Sequence, residues 1–383
     1  MGSLGTSCVP PLIPEESMKK TVLCVVGTRP EAIKMAPVIL MFKKERWATV
    51  RVLATAQHRH MLDQVNTFFG ITPDIDLNIM RPDQALPTLT ARLLLELDDV
   101  LKKEKPDIVL VQGDTTTVMA VALTGFYHHI PIAHVEAGLR TWNMFNPFPE
   151  EANRSIVGRL ARWHFAPTES SRQNLLREGT HSSNIIVTGN TVIDALLMAA
   201  AMHPKLNVPL DDTKRLVLVT SHRRESFGEP FRNICRALRH LSQMNPDVQF
   251  LYPVHPNPNV RNPAYQFLAE LPNFTLCEPL DYPSFVAAME RAYIILTDSG
   301  GIQEEAPALG KPVLVLREET ERPEAVEQGV VKLVGTSLER ISEEAQRLLD
   351  DEASYKAMAR GVSPYGDGHA SERIVTTLRS HFA

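Results

Sequence analysis

The chain has 383 residues and a net charge of −5, with 44% apolar and 22% charged residues. This length allows two α/β domains of ordinary size. The lack of a basic run argues against a nucleic-acid partner, and no apolar stretch is long enough to predict a membrane-spanning helix. The four cysteines form no CxxC pair, which indicates free thiols in the reducing cytoplasm.

The first predicted strand, residues 21–26, follows a segment, residues 1–17, that lacks the features of a secretory signal and is expected to be a disordered extension. The strand runs into a turn and a helix without the GxGxxG fingerprint of nicotinamide-binding proteins. Arg29 and Lys34 lie about one helical turn apart here. Either alone is an ordinary surface charge, but both together at a strand's carboxyl end favour phosphate binding.

Further along the first half, His58 and His60 follow the second predicted strand and have no third residue at metal-ligand spacing. A later strand, residues 108–111, ends just before Asp114, where α/β enzymes keep catalytic groups. Asp114 is equally compatible with a plain N-cap of the helix predicted at residues 117–127.

Glu136 directly follows the apolar strand predicted at residues 130–134. A carboxylate there is costly unless it is paired or functional, and Arg140 is the simplest candidate for its ion-pair partner. An irregular segment then leads to Glu150, and loops of this length often line a site. The alternation of strands and helices lapses around residues 200–213, which we interpret as a linker.

In the second half, His222 follows a predicted strand end at a position parallel to that of Arg29, which favours a functional histidine over a core one. The strand predicted at residues 293–296 ends in Thr297-Asp298-Ser299-Gly300-Gly301 before a helix. Free N–H groups, the helix dipole and two glycines make this turn a candidate phosphate site, although an ordinary α/β turn remains the alternative.

One helical turn later, Glu304 and Glu305 could accept the hydroxyls of a ribose, and a charged turn around Arg322 follows the next strand. Two such turns suggest a nucleotide diphosphate lying across the carboxyl ends of parallel strands. Strands that alternate with helices in both halves predict two doubly wound parallel sheets that face each other across a cleft.

Ten motifs of the chain, taken together and in order, resemble those of the non-hydrolysing UDP-N-acetylglucosamine 2-epimerases. The resemblance runs from about Met18 to the C-terminus. It implies the GT-B fold, with Rossmann-like domains at residues 18–200 and 201–368 and a final helix, residues 369–383, that packs back on the first domain. The motifs are GTRPEAIKMAP, TAQHR, GDTTT, HVEAGLRT, PEEANR, TGNTVIDAL, TSHRRESFG, YPVHPNPNVR, TDSGGIQEEAPALGKPVLV and TERPEAVEQG.

The resemblance implies an isomerase that converts UDP-N-acetylglucosamine into UDP-N-acetylmannosamine by eliminating UDP and adding it back, with neither redox cofactor nor metal. By matching motifs, Asp114, Glu136 and Glu150 resemble the family's catalytic carboxylates, and His222 resembles the histidine at the diphosphate. Which carboxylate removes the proton stays open. The implied substrate contacts are Arg29, Lys34, Phe285, Ser299, Gly300, Gly301, Glu305 and Arg322. Family members are commonly homodimers, and we expect the same here.

The sequence departs from the family pattern at two places. Leu280 stands where some relatives have Gln near the uracil. Gln57 and His58 match a second, activating UDP-N-acetylglucosamine site, but His60 and residues 81–83 differ from members that have it. The alternatives are a GT-B glycosyltransferase, a hydrolysing epimerase and a catalytically silent UDP-sugar sensor. Three carboxylates converging on the sugar favour the epimerase over the glycosyltransferase, which usually needs one base.

Overall fold

The computed structural model describes residues 19–55, 59–81 and 84–382, apart from the side chains of residues 59–61. The predictions for residues 1–17, Gln57, His58 and the side chain of His60 therefore lie outside the described residues. No helix in the described ranges is long and apolar enough to cross a membrane.

The first half of the chain alternates strands and helices around a seven-stranded sheet. Its elements are β1 (Lys20–Val26), α1 (Arg29–Phe42), β2 (Ala48–Ala54), α2 (Arg59–Phe68), β3 (Ile75–Asp76), α3 (Leu86–Glu104), β4 (Ile108–Gln112), α4 (Thr116–Tyr127), β5 (Ile132–Val135), α5 (Glu150–Leu160), β6 (Trp163–Ala166), α6 (Glu169–Arg177), β7 (Ile185–Val187) and α7 (Thr191–Ala201).

The second half repeats the alternation around a six-stranded sheet and ends in three helices. Its elements are β8 (Arg215–Thr220), α8 (Glu229–Met244), β9 (Val248–Pro253), α9 (Pro258–Leu268), β10 (Phe274–Cys277), α10 (Tyr282–Arg291), β11 (Ile294–Thr297), α11 (Gly300–Glu305), β12 (Val313–Val315), α12 (Pro323–Glu327), β13 (Val331–Leu333), α13 (Leu338–Asp350), α14 (Glu352–Met358) and α15 (Ala370–Phe382).

Both sheets are parallel and share one topology. The strand orders are β3-β2-β1-β4-β5-β6-β7 and β10-β9-β8-β11-β12-β13, which confirms the predicted pair of doubly wound sheets. In each sheet the order reverses next to the first strand, between β1 and β4 and between β8 and β11. Ligands of open α/β sheets bind at such switch points, outside the carboxyl ends of the strands, so the turns after these four strands frame the expected site.

The last helix, α15, packs against α1 and α7 of the first half. The rings of Trp47 and Phe382 are stacked with centroids 6.1 Å apart, and His381 meets the edge of Trp163 at 4.9 Å. Asp194 of α7 caps the start of α15 by accepting from the Ser371 backbone N–H at 2.7 Å. The chain therefore crosses back to the first half after completing the second, while the domain boundary near residue 200 stays a prediction.

Two histidines lie opposite each other on the neighbouring strands β5 and β6, His134 beside His164. Each is about 1% exposed, and the Nε2–H group of His134 donates to the Gly113 carbonyl oxygen at 2.7 Å. Burial lowers the pKa of His134 to about 3 and the pKa of His164 to about 4. Both are therefore neutral in the folded protein at ordinary pH.

This pair predicts a loss of stability in mild acid. In the unfolded chain both rings take up a proton below a pH of about 6.5. In the folded protein the rings stay neutral until the pH falls to 4 or lower. The contribution of the two neutral rings to the free energy of unfolding is therefore complete above pH 7, and it is lost as the pH falls from 6.5 towards 4. Between pH 7.5 and 5.5 we expect each ring to lower the free energy of unfolding by about 1.4 kcal/mol.

Urea unfolding at the two pH values measures this effect. The variant His164→Gln should lose about half of the histidine contribution, whereas the same change at the exposed His240 should leave the pH dependence as in the unmodified protein. An identical pH dependence in His164→Gln and the unmodified protein would show that His164 does not resist protonation.

Candidate active site

A cavity of about 460 Å³ lies between the carboxyl ends of the two sheets. This volume is within the range of small-molecule sites. It brings together eight of the catalytic and substrate-binding residues that the resemblance implies, two from the first half of the chain and six from the second. They are Arg29, Lys34, His222, Phe285, Ser299, Gly301, Glu305 and Arg322.

A smaller cavity of about 190 Å³ adjoins the first, and Glu304 and Arg322 line both. Glu136 lines the smaller one. Asp114 and Glu150 line neither cavity, but they lie at the same sheet edge as Glu136: Asp114 just after β4, and Glu150 as the first residue of α5.

The turn after β1 carries Arg29 into the larger cavity. Thr28 caps α1 and forms a capping box with Glu31, which fixes the entry of the helix. Glu31 is only 3% exposed and accepts from the backbone N–H groups of Gly27 at 2.9 Å and Thr28 at 2.6 Å. Its other oxygen accepts from the Thr115 hydroxyl at 2.7 Å, so one buried carboxylate joins the turns that carry Arg29 and Asp114.

Replacing Glu31 tests this connection. We expect Glu31→Ala to lower the free energy of unfolding by about 2–4 kcal/mol because the two turn amides lose their buried acceptor. Glu31→Gln keeps an acceptor oxygen for these amides and should cost clearly less. Urea unfolding measures both variants, and equal losses would show that the hydrogen bonds to the turn do not account for the effect.

Glu136 occupies an unusual backbone conformation at the end of β5, with φ +62°. A residue with a side chain adopts this left-handed region only when its surroundings hold it there, a form of strain that clusters at functional sites. Its carboxylate accepts from the Lys34 ammonium at 2.5 Å and from the Gln112 amide. Burial works to lower the pKa of Lys34, but the carboxylates of Glu136 and Glu304 outweigh it, so the pKa is raised.

Arg140 is not the partner of Glu136, so that interpretation of the sequence was wrong. Its guanidinium makes two bonds to the Glu178 carboxylate, at 2.7 and 2.8 Å, and donates to the carbonyl oxygen of Arg154 at 3.4 Å. The sequence could not show this because both partners are distant along the chain. Glu178 directly follows the last residue of α6, and Lys34, the partner of Glu136, lies on α1.

Asp114 is held by α5. Its carboxylate accepts from Arg154 Nη2 at 2.7 Å, and its carbonyl oxygen accepts from the Asn153 side chain at 2.9 Å. The N-cap of α4 is Thr115, whose hydroxyl accepts from the Val118 N–H. The alternative reading of Asp114 as a plain N-cap is therefore wrong, and its carboxylate faces the helix that begins with Glu150.

The turns after β8 and β11 carry His222 and Ser299 into the cavity from the second half. The helix after the Ser-Gly-Gly turn, α11, has six residues. Burial raises the pKa of the Glu305 carboxyl to about 8, and the neighbouring Glu304 adds to the rise. Glu304 itself pairs with Arg322, whose pKa it raises.

One cavity-lining histidine was not among the residues singled out from the sequence. His255 follows β9, and its ring stacks on His222 with centroids 5.4 Å apart. Glu304 links the two halves because its second carboxylate oxygen accepts from Asn190 Nδ2 at 2.9 Å. The strand-end rule that identified His222 applies equally to His255, so the signal was present in the sequence.

In the described ranges, no group of three or more His, Cys, Asp and Glu side chains could hold a metal ion. The cavity instead offers cations, histidines and carboxylates. Two Rossmann-like sheets facing such a cleft at their switch points define an α/β protein of the GT-B fold.

Comparison with known proteins identifies the family. A family model described as UDP-N-acetylglucosamine 2-epimerase matches residues 40–379. The UDP-N-acetylglucosamine 2-epimerase of Yersinia pestis is 54% identical over 372 residues, which cover 94% of this chain and 98% of the relative. The chain therefore belongs to the UDP-N-acetylglucosamine 2-epimerase family, whose members are isomerases, and the resemblance seen in the motifs is confirmed.

Solved structures agree with this assignment. The UDP-GlcNAc 2-epimerase from Neisseria meningitidis bound to UDP-GlcNAc is 50% identical, with a TM-score of 0.84 over 94% of this chain and 100% of that chain. The structure of UDP-GlcNAc 2-epimerase from Methanocaldococcus jannaschii is 34% identical, with a TM-score of 0.82 over 94% of this chain and 99% of that chain. These similarities confirm the predicted GT-B fold class.

Proposed function

We propose that this protein interconverts UDP-N-acetylglucosamine and UDP-N-acetylmannosamine by eliminating UDP to give 2-acetamidoglucal and adding it back. Beyond the family assignment, the arrangement of two adjoining cavities supports this reaction. A cavity lined by Arg29, His222 and Arg322 adjoins a smaller one lined by Glu136, and both share Glu304 and Arg322. The first suits a departing diphosphate and the second suits proton transfer at the sugar.

The order of events follows from the chemistry of the sugar. The hydrogen on the acetamido-bearing carbon is not next to a carbonyl group, so direct removal is hard. Loss of UDP builds positive charge on the anomeric carbon, which acidifies that hydrogen. Cations and hydrogen-bond donors at the diphosphate lower the energy of this charge separation because they are already oriented in the folded protein.

The carboxylates are assigned to proton transfer. Asp114, Glu136 and Glu150 follow or begin neighbouring elements at one sheet edge, so a sugar lying there can exchange its proton on either face. Arg154 holds Asp114 and Lys34 holds Glu136. We leave open which group removes the proton and which returns it.

The nucleotide end is assigned to the second half of the chain. Phe285 and Leu280 line the larger cavity and offer an apolar contact to the uracil. Ser299 and the glycines of its turn would bind phosphate, and Glu305 the ribose hydroxyls. Leu280 in place of a polar side chain removes one hydrogen bond to the base from the expected set.

Proton NMR of UDP-N-acetylglucosamine with the purified protein in deuterated water tests the proposal. The expected product is UDP-N-acetylmannosamine with deuterium on the acetamido-bearing carbon, formed without acceptor, added metal or nicotinamide. Stoichiometric free UDP and N-acetylmannosamine would instead indicate a hydrolysing epimerase. Binding without exchange would contradict the proposal and favour a transferase or a sensor.

We further propose a cytoplasmic homodimer that supplies a precursor for cell-surface polysaccharide. Three apolar side chains on α3 and α4 support a subunit contact: Leu95, Phe126 and Tyr127 are 71%, 55% and 66% exposed. The 2.7 Å contact between His128 and Asp98 places the end of α4 beside the middle of α3, so these side chains form one surface. Light scattering should give twice the mass of 42.8 kDa, and a monomer would contradict the assembly.

A further inference from the structure

Asp298 is a fully buried carboxylate, 0% exposed, between β11 and the Ser-Gly-Gly turn. Its Oδ2 atom accepts three hydrogen bonds from the turn after β8: from the Ser221 hydroxyl at 2.8 Å, the His222 N–H at 2.7 Å and the Arg223 N–H at 2.8 Å. One oxygen thus joins the two turns that meet at the switch point of the second sheet.

The other oxygen of Asp298, Oδ1, is buried and has no hydrogen-bond partner among the described residues. A buried carboxylate oxygen without a partner is costly, and each such case needs an explanation. Nδ1 of the His222 ring lies 3.6 Å from Oδ1. A small rotation of the His222 ring, 44% exposed on the cavity side, would bring the two atoms within hydrogen-bond distance.

His222 is surrounded by side chains of both positive and negative charge. His255 stacks on its ring, Arg223 neighbours it in the same turn, and Arg29 and Glu305 line the same cavity. Burial lowers the pKa of His222 and the Asp298 carboxylate opposes this, while His255 and Arg223 lower it further. The unliganded ring is therefore neutral at pH 7, and a bound diphosphate would supply the negative charge that favours the imidazolium.

We propose that Asp298 is a positioning residue for the departure of UDP: Oδ1 accepts the Nδ1 proton of His222, so that the ring presents Nε2–H, as a cation, to the diphosphate. The inference rests on the proposed function and assigns a role within it. In the elimination, the bond from the anomeric carbon to the β-phosphate oxygen breaks and its electron pair stays on UDP. The neighbouring C–H pair becomes the double bond, its proton passes to a carboxylate, and His222 keeps its own proton.

The variant Asp298→Asn separates this role from a structural one. The amide oxygen can keep the three hydrogen bonds of Oδ2, while an NH₂ group replaces the oxygen that faces His222. The amide then donates to Nδ1, which leaves a neutral ring, as in other histidines whose orienting carboxylate is changed to an amide. We expect kcat to fall about 30- to 100-fold, with KM for UDP-N-acetylglucosamine changed less than threefold.

The pH dependence gives a second readout. If the imidazolium stabilises the leaving group, kcat falls as the pH rises through the pKa of His222 in the complex. Loss of the Asp298 charge lowers that pKa, so the fall should begin at a lower pH in Asp298→Asn. An unchanged pH profile, or kcat equal to that of the unmodified protein, would overturn the inference.

Asp194→Asn is the matched control. Asp194 is also buried, at 4% exposure, and accepts from the Ser371 N–H and hydroxyl at 2.7 and 2.6 Å, but it faces α15 rather than the cavity. The same substitution there should lower the melting temperature and leave kcat and its pH profile unchanged. If both variants lost activity in parallel with stability, the role of Asp298 would be structural and the inference would fail.

Failure of the proposed function gives a different result. Two-bond ¹H–¹⁵N spectra of the histidine-labelled full chain with bound UDP report the protonation of both ring nitrogens without turnover. Protons on both nitrogens of His222 in the unmodified protein, and on Nε2 alone in Asp298→Asn, would support the contact even if no epimerisation occurred. A neutral His222 in the unmodified complex would overturn it.

Discussion

Glu136→Gln is expected to lower kcat for epimerisation by about 10³-fold, within the range that general acid–base groups contribute. An amide can neither take up nor return the proton of the acetamido-bearing carbon, whereas the Glu136 carboxylate is buried and held by Lys34 and Gln112. Solvent-deuterium exchange into UDP-N-acetylglucosamine, followed by proton NMR, measures the step directly and does not depend on the position of the overall equilibrium.

The same substitution leaves the Lys34 ammonium without its partner. Removing one member of a buried ion pair is destabilising, so a loss of about 2 kcal/mol in the free energy of unfolding is expected beside the loss of activity. Calorimetric titration with UDP then shows whether the cleft is still formed. Retained UDP affinity together with lost exchange would assign the defect to proton transfer rather than to folding.

Glu104→Gln provides the matched control. Glu104, the last residue of α3, pairs with Arg51 of β2 at 3.1 Å. Its side chain is 13% exposed, and neither residue lines the two cavities. The change removes one charge of a half-buried pair away from the cavities and should leave exchange unchanged. An exchange rate in Glu136→Gln within tenfold of the unmodified protein would exclude Glu136 as an essential acid or base.

The parts of the site that the sequence predicted are those fixed by topology. In a parallel sheet, every turn that follows a strand lies at the same edge, so Arg29, His222 and Ser299 could be brought together without any knowledge of side-chain contacts. The long, apolar strands were predicted for the same reason, because their buried runs end abruptly in polar turns. The alternation of strands and helices and the positions of the strand ends therefore sufficed to predict two doubly wound sheets that face a cleft.

The parts that the sequence missed depend on contacts between distant residues. Glu136 is paired with Lys34, 102 positions away, and not with the nearby Arg140. The N-cap of α4 falls to Thr115 instead of Asp114, since both residue types cap helices and only the backbone geometry decides. The strands β3 and β13, of two and three residues, are too short to show a pattern of alternation.

Gly138→Ala is expected to cost roughly 2–5 kcal/mol of folding stability, the largest loss that we predict for a single methyl group. Gly138 lies two residues after Glu136 with φ +93°, a conformation that strains any residue with a Cβ atom by about 1–2 kcal/mol. An added Cβ would also lie 2.3 Å from the Ser171 carbonyl oxygen. Since that atom belongs to the backbone of α6, the contact can be relieved only by moving the helix or the turn, which adds about 1–3 kcal/mol.

Gly179→Ala separates the two contributions. Gly179 has a similar φ of +85° but nothing within 4 Å of an added Cβ, so it carries the backbone strain without the clash. Urea unfolding should therefore show a loss of about 1–2 kcal/mol for Gly179→Ala and a clearly larger one for Gly138→Ala. Equal losses would mean that the turn relaxes freely around residue 138. In that case Glu136 would not be held in its left-handed conformation by the packing of this turn against α6, and its strain would need another source.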